Sequence, residues 1–262
     1  MRRALRQPRW LAGLAVAVVF ALVCVWLAQW QLDRRVQRAE RNAAVLANYD
    51  AAPTDLRGLA DVAAAGVEPE EEWVPARVSG RYRPEDTVLV RNRPQERANG
   101  YLVAVPFDVS APDDGLPRGL LVVRGWVPSG SDAARPESVP APPPGEVGLV
   151  VRLRATESPA TRGAPPGQTY RLDVPALLPG RGSLTEGYGV LATEDGAPPA
   201  GLRTVPRPDV DPGPHLAYGV QWYLFAVAGL AIWVVLARRA GRDEEQETAG
   251  APAGDWVYEP GR

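Results

Sequence analysis

Two long apolar runs constrain this chain more than any other feature. Trp10 to Trp30 is 21 residues without a charge, and Gln29 is its one strongly polar side chain. Tyr218 to Ala237 is 20 residues, with Gln221 in that position. At ~1.5 Å per residue each run spans about 30 Å as a helix, the thickness of a bilayer's hydrocarbon core. Both are expected to cross a membrane. The first is too long for a cleaved signal and is followed by Gln29-Trp30-Gln31-Leu32-Asp33-Arg34 rather than a small-x-small cleavage site, so it reads as an uncleaved anchor.

Arginine placement predicts the orientation. Arg2, Arg3, Arg6 and Arg9 before the first run are matched by Arg34, Arg35, Arg38 and Arg41 after it. The second run is followed directly by Arg238, Arg239 and Arg242, which favours a cytoplasmic C-terminus. Two spans return the N-terminus to the same side. The expected layout is a cytoplasmic 1–9, a transmembrane helix at 10–30, an extracytoplasmic domain at 31–214, a second transmembrane helix at 215–237 and a cytoplasmic tail at 238–262. That tail is acidic and rich in small residues, and is expected to be disordered. Trp256-Val257-Tyr258 within it reads as an incidental aromatic pair. The absence of lysine, with abundant Ala, Gly, Pro and Val, suggests a GC-rich bacterial genome and hence a bacterial plasma membrane. A formal net charge of -2 gives no reason to expect a nucleic-acid partner. The one cysteine, Cys24, lies in mid-run and reads as an apolar packing residue.

The middle segment changes period. Gln31 to Asn48 keeps a helical repeat through Val36, Ala39, Ala43 and Leu46, so the first helix should continue outward for several turns. Thr54 is placed to cap a short helix carrying Leu56, Leu59 and Ala63 and closing near Gly66. Glu68 to Glu72 reads as a solvated acidic loop. From Trp73 the pattern turns to alternation and β-branched residues. Strands are predicted at 74–82, 87–92, 100–107, 120–128, 147–156, 169–173 and 188–193, with a tight turn at Pro84-Glu85-Asp86. Proline-rich loops at 128–145, 158–167 and 196–214 interrupt them. No long helix separates the strands, which argues for antiparallel pairing. The predicted fold is an α+β membrane protein: two transmembrane helices flank a mainly antiparallel, barrel- or sandwich-like β domain with short helices.

Catalytic patterns are missing. There is no G-x-S-x-G, P-loop or dinucleotide fingerprint, and no Cys/His cluster for zinc. The chemistry-bearing residue that stands out is His215, the only histidine. It opens the second apolar run, followed by Tyr218, Trp222 and Phe225 at i+3, i+7 and i+10, with Gly229 on the same stripe. Two readings stay open at this level. His215 is either a structural imidazole at headgroup level or an axial ligand to haem iron, with Tyr218, Trp222 and Phe225 packing the macrocycle. The stripe is equally suited to packing on the first helix, where Trp26, Trp30 and Asp33 share a face.

Five short motifs, in order, resemble surfeit locus protein 1 and its bacterial relatives. They are Leu27-Ala28-Gln29-Trp30-Gln31-Leu32-Asp33-Arg34, with Ala28 where glycine is usual; Val74-Pro75-Ala76-Arg77-Val78-Ser79-Gly80-Arg81-Tyr82; and Gly100-Tyr101-Leu102-Val103-Ala104-Val105-Pro106-Phe107, with Val105 in place of threonine. Leu121-Val122-Val123-Arg124-Gly125-Trp126-Val127-Pro128 lacks the family's asparagine, and the closing motif from His215 to Ala226 departs mildly at Gly219 and Tyr223. The resemblance implies a non-enzymatic assembly factor for cytochrome c oxidase that helps insert haem a into the large oxidase subunit. His215 matches the histidine through which bacterial members are thought to bind haem a. The implied partners are oxidase subunits, membrane lipid and the haem a synthesis machinery. A membrane-anchored scaffold that does not touch haem and an extracytoplasmic ligand-binding or sensor domain are the alternatives, and a membrane-bound hydrolase has no site to support it. Gly80, Gly100 and Gly125 read as turn or bend positions, and Tyr101 and Trp126 as core.

Overall fold

Helix α1 runs Pro8–Asn48, without a break where the apolar run ends. Residues 31–48 are mostly Ala, Arg, Gln, Glu and Leu, good helix formers with no Gly or Pro among them. The continuation expected from Val36, Ala39, Ala43 and Leu46 is therefore present. The computed structural model describes residues 8–56, 66–110, 118–131, 134–179 and 183–249. The candidate helix at 56–66 falls mostly outside them, as does Trp256-Val257-Tyr258. Thr54–Asp55 form a two-residue strand, β1, parallel to Ala76 and Arg77.

The described chain divides into two compact units, 8–39 with 212–249, and 40–211. The first holds the body of α1 and a second long helix, His215–Ala249, here α3. Both helices are long and apolar enough to cross a membrane. Residues 240–249, expected to be disordered, continue α3, since Glu, Gln, Arg and Ala sustain a helix. The helices meet along small residues. Ala21, Cys24 and Ala28 are buried on α1, and Gly219 and Ala226 on α3. Trp26 and Trp30, expected on the packing face, are exposed instead. Small side chains at this seam let the two helices approach closely, where van der Waals contact is strongest. A Cβ on Gly229 would sit 2.7 Å from the Phe20 ring. Gly229→Leu is expected to cost about 1–3 kcal/mol of helix pairing. The check is the rate at which N-ethylmaleimide labels buried Cys24 in the detergent-solubilised full chain, which should rise.

The second unit is a closed barrel. Its ring is β2 (Pro75–Tyr82), β6 (Val147–Ala155), β8 (Ser183–Glu194), β5 (Gly119–Pro128) and β4 (Gly100–Val109), closed by pairing of β4 back onto β2. β3 (Val88–Val90) extends β4 outside the ring, and β7 (Gln168–Thr169) extends β3. Five pairings are antiparallel: β2–β4, β2–β6, β3–β4, β4–β5 and β6–β8. Pairings β1–β2, β3–β7 and β5–β8 are parallel, so the sheet is mixed rather than antiparallel throughout. The geometry explains β5–β8. β8 inserts between β5 and β6, two strands that run in opposite directions; being antiparallel to β6, it must be parallel to β5. The long β5-to-β8 connection, through β6, β7 and a short helix, removes the need for a crossover helix.

Closure requires a glycine. Gly80 faces Val109, and a Cβ there would lie 2.1 Å from the Asp108 carbonyl oxygen. Gly80, Gly100 and Gly125 all keep negative φ, so close backbone or side-chain approach, not a turn, selects them. The barrel interior is filled by residues such as Val103, Val105, Phe107, Leu120, Val122, Leu149 and Leu153. A second core, with Leu121, Val123, Val190, Trp73 and Leu172, lies under Val45 at the end of α1 and helix α2 (Val174–Leu177). Alternation along β5 sends Leu120 and Val122 to one core and Leu121 and Val123 to the other, which is why its apolar run is continuous. The strand predicted at 169–173 stops at Thr169, because Asp173 accepts a hydrogen bond from Ala176 N (3.4 Å) and caps α2. In the acidic run, Pro69–Glu71 make a single 3-10 turn and Glu72 pairs with Arg154 at 3.0 Å.

Candidate functional site

His215 is the first residue of α3, directly after Pro214, whose carbonyl accepts from Tyr218 N at 3.1 Å. Its ring Nδ1 lies 2.9 Å from Gln31 Oε1 on α1. Further along the pair, Gln29 Nε2 donates to Tyr223 Oη at 2.6 Å. The two glutamines at the end of the first apolar run therefore bind polar groups of the second helix, where an unpaired amide in an apolar setting would be costly. Gln31 escaped sequence reasoning. Its signal was weak: a polar residue just past an apolar run is ordinary, and only the register between two helices makes it a histidine partner.

An amide oxygen at Nδ1 makes that nitrogen the donor, and the second nitrogen, Nε2, then carries the lone pair. Nε2 has no hydrogen bond among the described residues. Metal-bound imidazoles are commonly oriented in this way, with the non-ligating N–H held by an acceptor. Gly213, at φ +71°, runs close to the ring: a Cβ there would stand 3.4 Å from Cδ2 and 3.6 Å from both Nε2 and Arg38 Nη1. The arrangement fits a single-histidine iron ligand. Among the described residues there is no group of three or more His, Cys, Asp or Glu side chains placed to hold a metal ion without a cofactor.

The aromatic stripe divides. Trp222 packs against Ala21, Cys24 and Ala226. Tyr218 and Phe225 face outward, 48% and 41% exposed, though Phe225 meets the Trp222 ring edge-on at 5.7 Å. At 100° per residue, Gly219, Trp222, Ala226 and Gly229 lie within about 40° of His215 around the helix, whereas Tyr218 and Phe225 lie roughly 60–80° away. The inter-helix seam takes the first set, and the second is left as a flank of exposed rings on the same helix.

The SURF1 family model matches residues 18–227, from within α1 to within α3. A SURF1-like protein of Mycobacterium bovis is 31% identical over 261 residues, covering 96% of this chain and 92% of the relative. SURF1-like proteins of two Mycobacterium tuberculosis strains match to the same extent.

Proposed function

The chain belongs to the SURF1 family, whose members are cytochrome oxidase assembly factors, and from that premise we propose that it assists insertion of haem a into the large oxidase subunit. In this reading α1 and α3 cross the bacterial plasma membrane, both termini are cytoplasmic, and residues 40–211 stand outside the cytoplasm and hold an oxidase subunit. The observation that carries the proposal is the His215–Gln31 pair. Gln31 Oε1 lies at Nδ1, so His215 presents Nε2 to the iron of the cargo. Tyr218 and Phe225 supply exposed aromatic surface beside it, and Trp222 braces the helix from behind. A single imidazole suits transient holding: it binds iron through one bond and releases its cargo to a better-ligated site.

The test is a reduced-minus-oxidised absorption spectrum of membranes from a strain lacking the protein, its parent, and strains carrying the wild-type or the His215→Ala chain. The deletion should lose the a-type haem signal and the wild-type chain restore it. His215→Ala, present in membranes at the wild-type level, should leave the signal at the deletion level. Gln31→Leu, which frees the ring but keeps the ligand, should restore it only in part. Full restoration by His215→Ala would remove haem from the mechanism and leave a scaffold that stabilises an oxidase intermediate.

A further inference from the structure

The β unit carries a second feature, unrelated to His215. A cleft of about 340 Å³ is lined by Arg91, Asn92, Arg93, Thr161, Arg162, Tyr170 and Arg171. Four arginines line it. Among the described residues the one carboxylate paired with any of them is Glu157, 2.6 Å from Arg93 Nη2 and 3.9 Å from Arg171 Nη1. That carboxylate also accepts from Leu172 N at 3.3 Å, so it is already shared three ways. Arg91 Nη1 donates to the Gln168 side chain and to the Ala134 carbonyl, while Arg91 Nε is buried without a hydrogen-bond partner. Arg162 stacks on the Tyr170 ring at 3.9 Å and has no ion pair among the described residues.

Like charges gathered around a concavity repel, and a buried guanidinium donor left unpaired is costly. An anion in the cleft relieves the repulsion. The excess of positive charge favours a multiply charged oxyanion over a single carboxylate, and planar guanidinium forks match phosphate oxygens two at a time. The concave shape favours a small group over the flat face of an acidic protein. We propose that this cleft binds a phosphate group, held by Arg91, Arg93, Arg162 and Arg171. The same chemistry is offered by a soluble phosphoester and by a phospholipid headgroup.

Calorimetric titration of the detergent-solubilised full chain tests the site, at about 0.15 M ionic strength so that unspecific attraction is screened. The probes are inorganic pyrophosphate and, below its micelle concentration, dihexanoyl phosphatidylglycerol. Arg162→Gln is the clean variant, because the side chain is exposed and only stacks on Tyr170. Arg81→Gln, exposed on β2, removes the same charge elsewhere. Pyrophosphate binding weakened about ten- to hundredfold by Arg162→Gln and unchanged by Arg81→Gln supports a soluble phosphoester. Binding of the lipid probe alone, with that same dependence, supports a headgroup. Binding of neither probe, or equal weakening by both variants, overturns the proposal.

Discussion

Replacing Glu194 with alanine is expected to destabilise the barrel unit by about 3–5 kcal/mol. Its partner, Arg124, sits in the middle of β5 with its side chain 1% exposed, and the Glu194 side chain is 9% exposed. The pair is bidentate, Nε to Oε1 and Nη2 to Oε2, both at 3.1 Å. Arg124 Nη1 donates to the Pro140 carbonyl at 3.0 Å, and the guanidinium lies 5.2 Å from the centre of the Tyr82 ring. Burial, reinforced by the Glu194 carboxylate, pushes the Tyr82 phenol well above its ordinary value, so Glu194 is the charge that balances Arg124 in the native unit. Glu194→Ala therefore strands a cation away from water. For a unit of this size the loss corresponds to a fall in midpoint of roughly 6–20 °C. Thermal unfolding of the detergent-solubilised full chain, followed by near-ultraviolet circular dichroism, measures it. The combined change Arg124→Met with Glu194→Leu should recover most of the loss, because it removes both charges and keeps apolar bulk. A midpoint for Glu194→Ala indistinguishable from wild type would contradict the burial of this pair.

Trp126→Ala should cost a similar amount, about 3–5 kcal/mol. The indole is 1% exposed, and Nε1 donates to the Arg93 carbonyl at 2.6 Å. Arg203 stacks on it at 5.1 Å, and the Arg203 backbone bridges to Trp126 through N–H···O bonds of 2.8 and 3.0 Å. Truncation leaves a cavity and an unpaired carbonyl together. Trp126→Phe shifts the balance between the two effects: it keeps one ring, leaves a smaller cavity and loses the hydrogen bond, for about 1–3 kcal/mol. If the two variants unfold at the same temperature, the hydrogen bond rather than the volume carries the residue's contribution. Comparison by the same optical melt decides it.

Much of this was legible in the residues alone. The predicted strands at 74–82, 100–107, 120–128 and 147–156 differ from β2, β4, β5 and β6 by no more than two residues at either end. Alternation and β-branching are signals that each strand carries in itself. Trp126 and Tyr101 were placed in the core by size and chemistry, and both are buried. The misses share another character. The strand predicted over 169–173 was displaced by α2, whose start depends on an Asp173 cap and a proline that compete with a marginal β signal. The parallel β5–β8 pairing follows from where β8 inserts, and nothing within β8 states that.

Hydropathy, helical continuation and strand period are properties of one segment. The sequence by itself therefore determined the two apolar helices, the β-rich middle and the standing of His215 as a residue to explain. Pairing is a property of two segments. Gln31 and His215 lie 184 residues apart, and Arg124 and Glu194 lie 70 apart. Which atoms meet there is set by helix register and barrel closure, and a shift of one residue would turn each side chain to another face. Only the tertiary structure decided that His215 has an acceptor at Nδ1 and, among the described residues, none at Nε2, that Tyr218 and Phe225 face outward, and that Arg91 and Arg93 share one cleft with Arg162 and Arg171.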